Sequence, residues 1–154
     1  MKIRLLHSEK WGFDAAVIPM ITVPTGSADM SSGAYDPTLK LTYAKSLGRG
    51  FGLSGNVNFS RVTDGGDVYR QRAYSVSVGH DLGGNWGAYW EAYGFSQVEK
   101  DGRAAWTLDT GVSRGLGGNM QVDVEVGRGV TETAPDWFVG VGFALRSRGF
   151  GRKQ

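Results

Sequence analysis

A short turn recurs along this chain at nearly constant spacing, and it limits the fold more than any other feature. Leu47-Gly48-Arg49-Gly50 is followed by Leu82-Gly83-Gly84-Asn85 and then by Leu116-Gly117-Gly118-Asn119, at intervals of 35 and 34 residues. After each copy comes an aromatic residue or Met and a run of alternating apolar and polar residues, so the repeating unit is a long antiparallel hairpin. Between these turns the sequence predicts longer polar connections near Thr25 to Asp36, Val62 to Tyr69, Glu99 to Arg103 and Val130 to Asp136. Short turns at one end, long loops at the other and strands of about ten residues between them form the pattern of a transmembrane β-barrel. The expected fold is therefore all-β, an antiparallel up-and-down barrel domain over residues 1–146, followed by a basic tail over 147–154.

Period-two alternation sorts the residues into two faces. Phe51, Leu53, Val57 and Phe59 oppose Asn56 and Asn58. Tyr74 falls on the first face, and Trp86 and Trp90 oppose Tyr89, Glu91 and Tyr93. Trp106 opposes Asp109, and Val122 and Val124 oppose Asp123 and Glu125. The first set is expected to face lipid; the second, with Lys40 and Arg146, is expected to line the lumen. Phe51, Trp86 and Met120 directly follow the short turns, while Phe59, Tyr74 and Trp106 sit toward the long loops. That placement predicts two interfacial aromatic belts, which β-propensity alone does not explain. Phe13 to Val23 is apolar on both faces and contains Pro19, so a bulge or a locally buried wall is expected there.

Composition fits such a wall. Gly makes up 25 of 154 residues and Pro only 4, with Gly spread through strands and turns, which disfavours disorder and collagen. A formal net charge of +2 with scattered Lys and Arg gives no basic run for nucleic acid. The absence of cysteine removes disulfides and thiolate metal sites. The longest apolar stretch, Ala15 to Pro24, is too short for a spanning helix. Met1 to Lys10 lacks the apolar core and cleavage site of a secretory signal, which an outer-membrane protein needs. The expectation is that Met1 falls inside the wall of a larger barrel whose signal lies upstream.

Catalytic chemistry finds little support. His7 and His80 both sit beside predicted turns, and Ser77 and His80 have opposite parity, which argues against a hydrolase pair. Gly83-Gly84 is a hairpin turn with no following helix to bind phosphate. Asp64-Gly65-Gly66-Asp67 lacks the further oxygen ligands calcium needs. No catalytic residue, metal or cofactor is expected. Arg61, Arg70 and Arg72 take the outward parity at the loop-side rim, where they meet either water or the phosphates of membrane lipid, lipopolysaccharide included. On the inner face Glu91, Asp109 and Glu125 fall within one pairing step of one another beside Asp123. This row is either a solvated face balanced by bases such as Lys40 and Arg146, or a stripe that favours cations.

Several segments together resemble a known family. They are Lys2-Ile3-Arg4-Leu5-Leu6, the apolar strand ending Val23-Pro24-Thr25-Gly26, the Leu-Gly-Gly-Asn turns and the closing Asp136-Trp137-Phe138-Val139-Gly140-Val141-Gly142. The chain is similar to the outer-membrane transporters of the MetA-pathway phenol-degradation family over nearly its whole length. The resemblance implies a barrel of about a dozen strands, of which eight to nine lie in this chain, and passage of aromatic or other hydrophobic compounds. Such barrels finish on an aromatic recognised during assembly, whereas residues 147–154 run on as a basic tail. The leading expectation is a passive outer-membrane channel for small molecules. A structural or adhesive barrel with a plugged lumen and a soluble ligand-binding barrel are the alternatives, the last disfavoured by the apolar outward set.

Overall fold

The computed structural model describes residues 1–27 and 31–146, so the expected basic tail lies outside the described residues. Among the described residues nine strands form one sheet in chain order, each antiparallel to the next. They are β1 (Ile3–Ser8), β2 (Phe13–Thr22), β3 (Asp36–Gly48), β4 (Phe51–Asp64), β5 (Asp67–Gly83), β6 (Trp86–Phe95), β7 (Ala105–Leu116), β8 (Met120–Gly129) and β9 (Phe138–Leu145). The Leu-Gly turns join β3 to β4, β5 to β6 and β7 to β8, as their spacing predicts. At the second of them Gly84 and Asn85 both have positive φ, 60° and 67°, the backbone of a turn whose twist matches the strands it joins.

Two expectations are corrected. Val62 to Tyr69 is not a long connection: β4 and β5 pair without interruption out to Asp64 and Asp67, and the chain reverses within Gly65-Gly66, both at positive φ. Two glycines between equal-length strand ends suit a two-residue hairpin as well as a loop, and the apolar alternation gave no help because it reverses beyond Phe59 and Tyr74, where Val62 and Tyr69 take the polar face; the unbroken ladder shows the hairpin. The bulge expected around Pro19 is absent from the β2–β3 ladder, where Phe13 to Thr22 pair one-for-one with Lys45 to Asp36. The irregularity lies instead between Arg4 and Leu6, where β1 meets β2. Pro19 stands beyond Val17, the last β2 residue that β1 pairs, so the missing N–H falls where one side carries no ladder.

The described residues form no layered core. Among the described residues four with side chains are buried, Ala16, Tyr69, Ala105 and Thr107, and all lie on the polar face, while no large residue of the apolar face is buried, Trp90 being 50% exposed. A single sheet crowds side chains on only one side when it curls toward that side, so the polar face is the inner one. β1 and β9 run in the same direction and do not pair, so the sheet is not closed.

Candidate functional site

The inner face is built from the register outward. One cross-strand row carries Asn56, Ser75, Tyr93 and Thr107 from β4 to β7. The next carries Ser54, Ser77, Glu91, Asp109 and Gly127, ending on Phe138 of β9. Two residues further toward the short turns, a third row reads Gly52, Gly79, Tyr89, Gly111, Glu125 and Gly140. Asn58 lies across from Lys40 and Ala73, and Asp123 between Ser113 and Gly142. Each strand residue expected on the polar face therefore takes it. Arg146 follows the end of β9, where its backbone N–H donates to Asn119 O at 2.8 Å. The apolar set, Phe51, Leu53, Val57, Phe59, Tyr74, Trp86, Trp90, Trp106, Val122 and Val124, takes the opposite face throughout.

Glycines on the inner face are where neighbouring side chains lie down. The Tyr89 ring crosses Gly111, whose hydrogen leaves the only space for it, and its hydroxyl donates to Glu125 Oε2 on β8 at 2.7 Å. Glu125 in turn covers Gly140, and Asp123 covers Gly142. Phe138 leans the other way, over Gly127. A β-carbon at any of these four glycines would collide with the covering side chain. The Tyr89–Glu125 bond spans two strand intervals and fixes a phenol ring flat against the wall.

Away from the strand ends, where Asp14, Asp36, Asp64, Asp67 and Asp81 stand, the carboxylates of this face gather on β6 to β8. Glu91 and Asp109 are direct cross-strand partners, and Glu125, opposite Gly111, is the diagonal neighbour of Asp109. None of Glu91, Asp109, Asp123 and Glu125 belongs to an ion pair among the described residues. Asp109 Oδ1 is buried without a hydrogen-bond partner there. The inward bases Arg4 and Lys40 stand on β1 and β3, with a neutral stretch of Ser and Asn on β4 and β5 between them and the carboxylates. Like charges this close on a sheet are unfavourable unless water or cations reach them. Ser77 and His80 are split between the faces, His80 stacking on Phe51 of the apolar face with ring centroids 3.8 Å apart.

The chain matches, over residues 1–147, the family described as "Putative MetA-pathway of phenol degradation". The chain belongs to that family. No curated protein matches it. In this MetA-pathway family member the sequence segments that carry the resemblance become β1, β2, the short turns and the start of β9.

Sequence reasoning missed the ties that hold the loop side. β4 and β5 continue past Phe59 and Tyr74, so Asp36, Arg61 and Thr63 stand beyond the aromatic belt. There Asp36 accepts from Thr63 Oγ1 at 2.8 Å, Ser32 Oγ at 2.9 Å and Arg61 Nη1 at 3.2 Å. Desolvation pushes its carboxyl up, but those hydrogen bonds and the Arg61 charge together outweigh it and hold the group below the ordinary aspartate range. Tyr69 donates to Val98 O at 2.9 Å and Gln71 to Gln97 O at 2.7 Å, which ties β5 to the β6–β7 loop. Lys100 pairs with Asp67 at 2.8 Å and Arg103 with Glu132 at 2.9 Å, so the loops are linked to one another. The only signal in the sequence was charge complementarity between loops, which does not specify partners.

Proposed function

We propose that this MetA-pathway family member forms the wall of a passive channel in the bacterial outer membrane, with its inner face lining a path for small molecules, aromatic compounds among them. The observation that carries this reading is the two-faced sheet. Among the described residues it has no packed core, its apolar face carries exposed large side chains on every strand and bears aromatics near both ends, and its opposite face is polar and half-buried. In water such a face is a liability; in lipid it is the outer surface of a barrel. The family description supports an aromatic solute, and Tyr89, Tyr93 and Phe138 offer ring faces on the inner wall. Lipid does not satisfy the ladder edges of β1 and β9, so a membrane-spanning form pairs both with further strands.

Flux through proteoliposomes tests the reading. The full-length protein should admit phenol and small sugars faster than empty vesicles and should conduct ions with a preference for cations. Changing Glu91→Gln, Asp109→Asn and Glu125→Gln together should move the reversal potential in a salt gradient toward zero. A protein that remains in the soluble fraction, or that inserts and passes nothing, would refute the channel.

A further inference from the structure

Charge on the apolar face follows a rule that alternation does not require. By strand register six charged residues point outward, Lys45, Arg61, Arg70, Arg72, Arg114 and Arg128, and all are cations. No Asp or Glu takes the outward parity on any of the nine strands. All six lie toward strand ends, and four of them, Arg61, Arg70, Arg72 and Arg128, are at the loop side.

Three of those four converge. Arg61 and Arg70 are direct cross-strand partners on β4 and β5, and Arg72 follows Arg70 on the same face, about 7 Å along the strand. Arg72 stands opposite Phe59, and two residues below it Tyr74 stacks on Trp106 at 6.1 Å. By register the three arginines therefore stand next to the aromatic belt on its loop side, which on the membrane reading is the depth of lipid headgroups. Arg61 is held by Asp36 and by Tyr35 O at 2.9 Å, whereas Arg70 and Arg72 have no ion-pair partner among the described residues and are exposed. Two like charges placed opposite one another on a sheet repel. Asp36 offsets the charge of Arg61, and an anion held beside Arg70 and Arg72 supplies the counter-charge those two lack.

We propose that Arg61, Arg70 and Arg72 form a binding site for a membrane lipid whose headgroup carries phosphomonoesters, the phosphorylated sugar of lipopolysaccharide. A phosphomonoester bears close to two negative charges and three acceptor oxygens, enough to take bidentate contacts from two guanidinium groups at once. A phosphodiester lipid has one charge and engages a single arginine well. Three arginines on two adjacent strands match the denser headgroup. The planar fork of Arg suits this contact in a way the ammonium of Lys does not.

The inference rests on the membrane reading above, and the test separates the two. Binding of the full-length protein is measured to phosphatidylcholine vesicles doped with lipid A, or with phosphatidylglycerol at matched negative charge; insertion is scored independently by protease protection. The parent protein should prefer lipid A vesicles. Arg70→Ala with Arg72→Ala should lower that affinity by about tenfold or more, as expected for lost charge-assisted hydrogen bonds, with insertion unchanged. Lys45→Ala with Arg114→Ala, at the turn side, should leave lipid A binding as it was. Arg70→Lys with Arg72→Lys keeps the charge and should recover only part of the affinity, which guards against a folding defect in the alanine variant. Equal binding of parent and alanine variant overturns the site, and so does a parent that binds phosphatidylglycerol as tightly as lipid A. A parent that inserts but ignores lipid A defeats this inference alone; one that fails to insert defeats the channel reading with it.

Discussion

The two faces of this one sheet treat glycine alike and charge in opposite ways. On both faces a large side chain lies over a glycine of the next strand, Tyr43 over Gly55 and Trp106 over Gly94 outside, Tyr89 over Gly111 and Phe138 over Gly127 inside. That device is geometric and indifferent to solvent: a pleated wall closes its gaps wherever a ring can lie flat. Charge is different. The outer face admits cations alone and keeps them at strand ends, while the inner face places four half-buried carboxylates on β6 to β8, away from the strand ends. On the channel reading proposed above, the contrast follows from what each face would meet, hydrocarbon between two headgroup layers on one side and water on the other.

The largest test of that contrast is a charge moved to the wrong face. Val124→Arg, outward and mid-strand, should cost about 2–4 kcal/mol of barrel stability in urea unfolding from lipid vesicles. Equal losses for Val124→Arg and for a polar-face change would break the assignment of faces. Next in size is the glycine beneath Tyr89. Alanine in place of a strand glycine is ordinarily mildly favourable, but Gly111→Ala drives a β-carbon into the Tyr89 ring and should cost about 1–3 kcal/mol. In a Tyr89→Ala background the same change should cost almost nothing, and the double-mutant cycle reads the coupling directly.

A smaller effect is expected from pH at the loop side. Because the folded state holds the Asp36 carboxyl below its unfolded value of about 3.9, the stabilisation is fully present above that value and is lost as pH falls through the folded pKa. Loop protection against protease should therefore drop in acid below about pH 4, and Asp36→Asn should be flat across the same window. Smallest of all is Asn56→Asp on the inner face, within about 0.5 kcal/mol of the parent. A loss as large as that of Val124→Arg would mean that water does not reach this wall.

Much of the wall was legible in the sequence because side-chain alternation is a property of the extended backbone itself. Phe51 to Phe59, Trp86 to Tyr93 and Met120 to Gly127 each announce their faces without reference to a neighbour, and the Leu-Gly turns announce where the chain reverses. The hairpin at Gly65-Gly66 was misread because a polar, glycine-rich segment has the composition of a loop even when its strands run on to the turn. The family resemblance rested on the same local features and agrees with the match over residues 1–147.

By itself, then, the sequence determined which residues share a face, the number of strands and the separation of Ser77 from His80, since all three follow from a period of two and from turn chemistry. Only the tertiary structure decided that Tyr89 crosses Gly111 to reach Glu125, that Arg61 and Arg70 stand opposite one another, that Asp36 gathers Ser32, Arg61 and Thr63, and that the β1 bulge falls between Arg4 and Leu6. Those contacts depend on the register between strands. Register is set by turn geometry and by how side chains fit across the sheet, and no single strand carries that information alone.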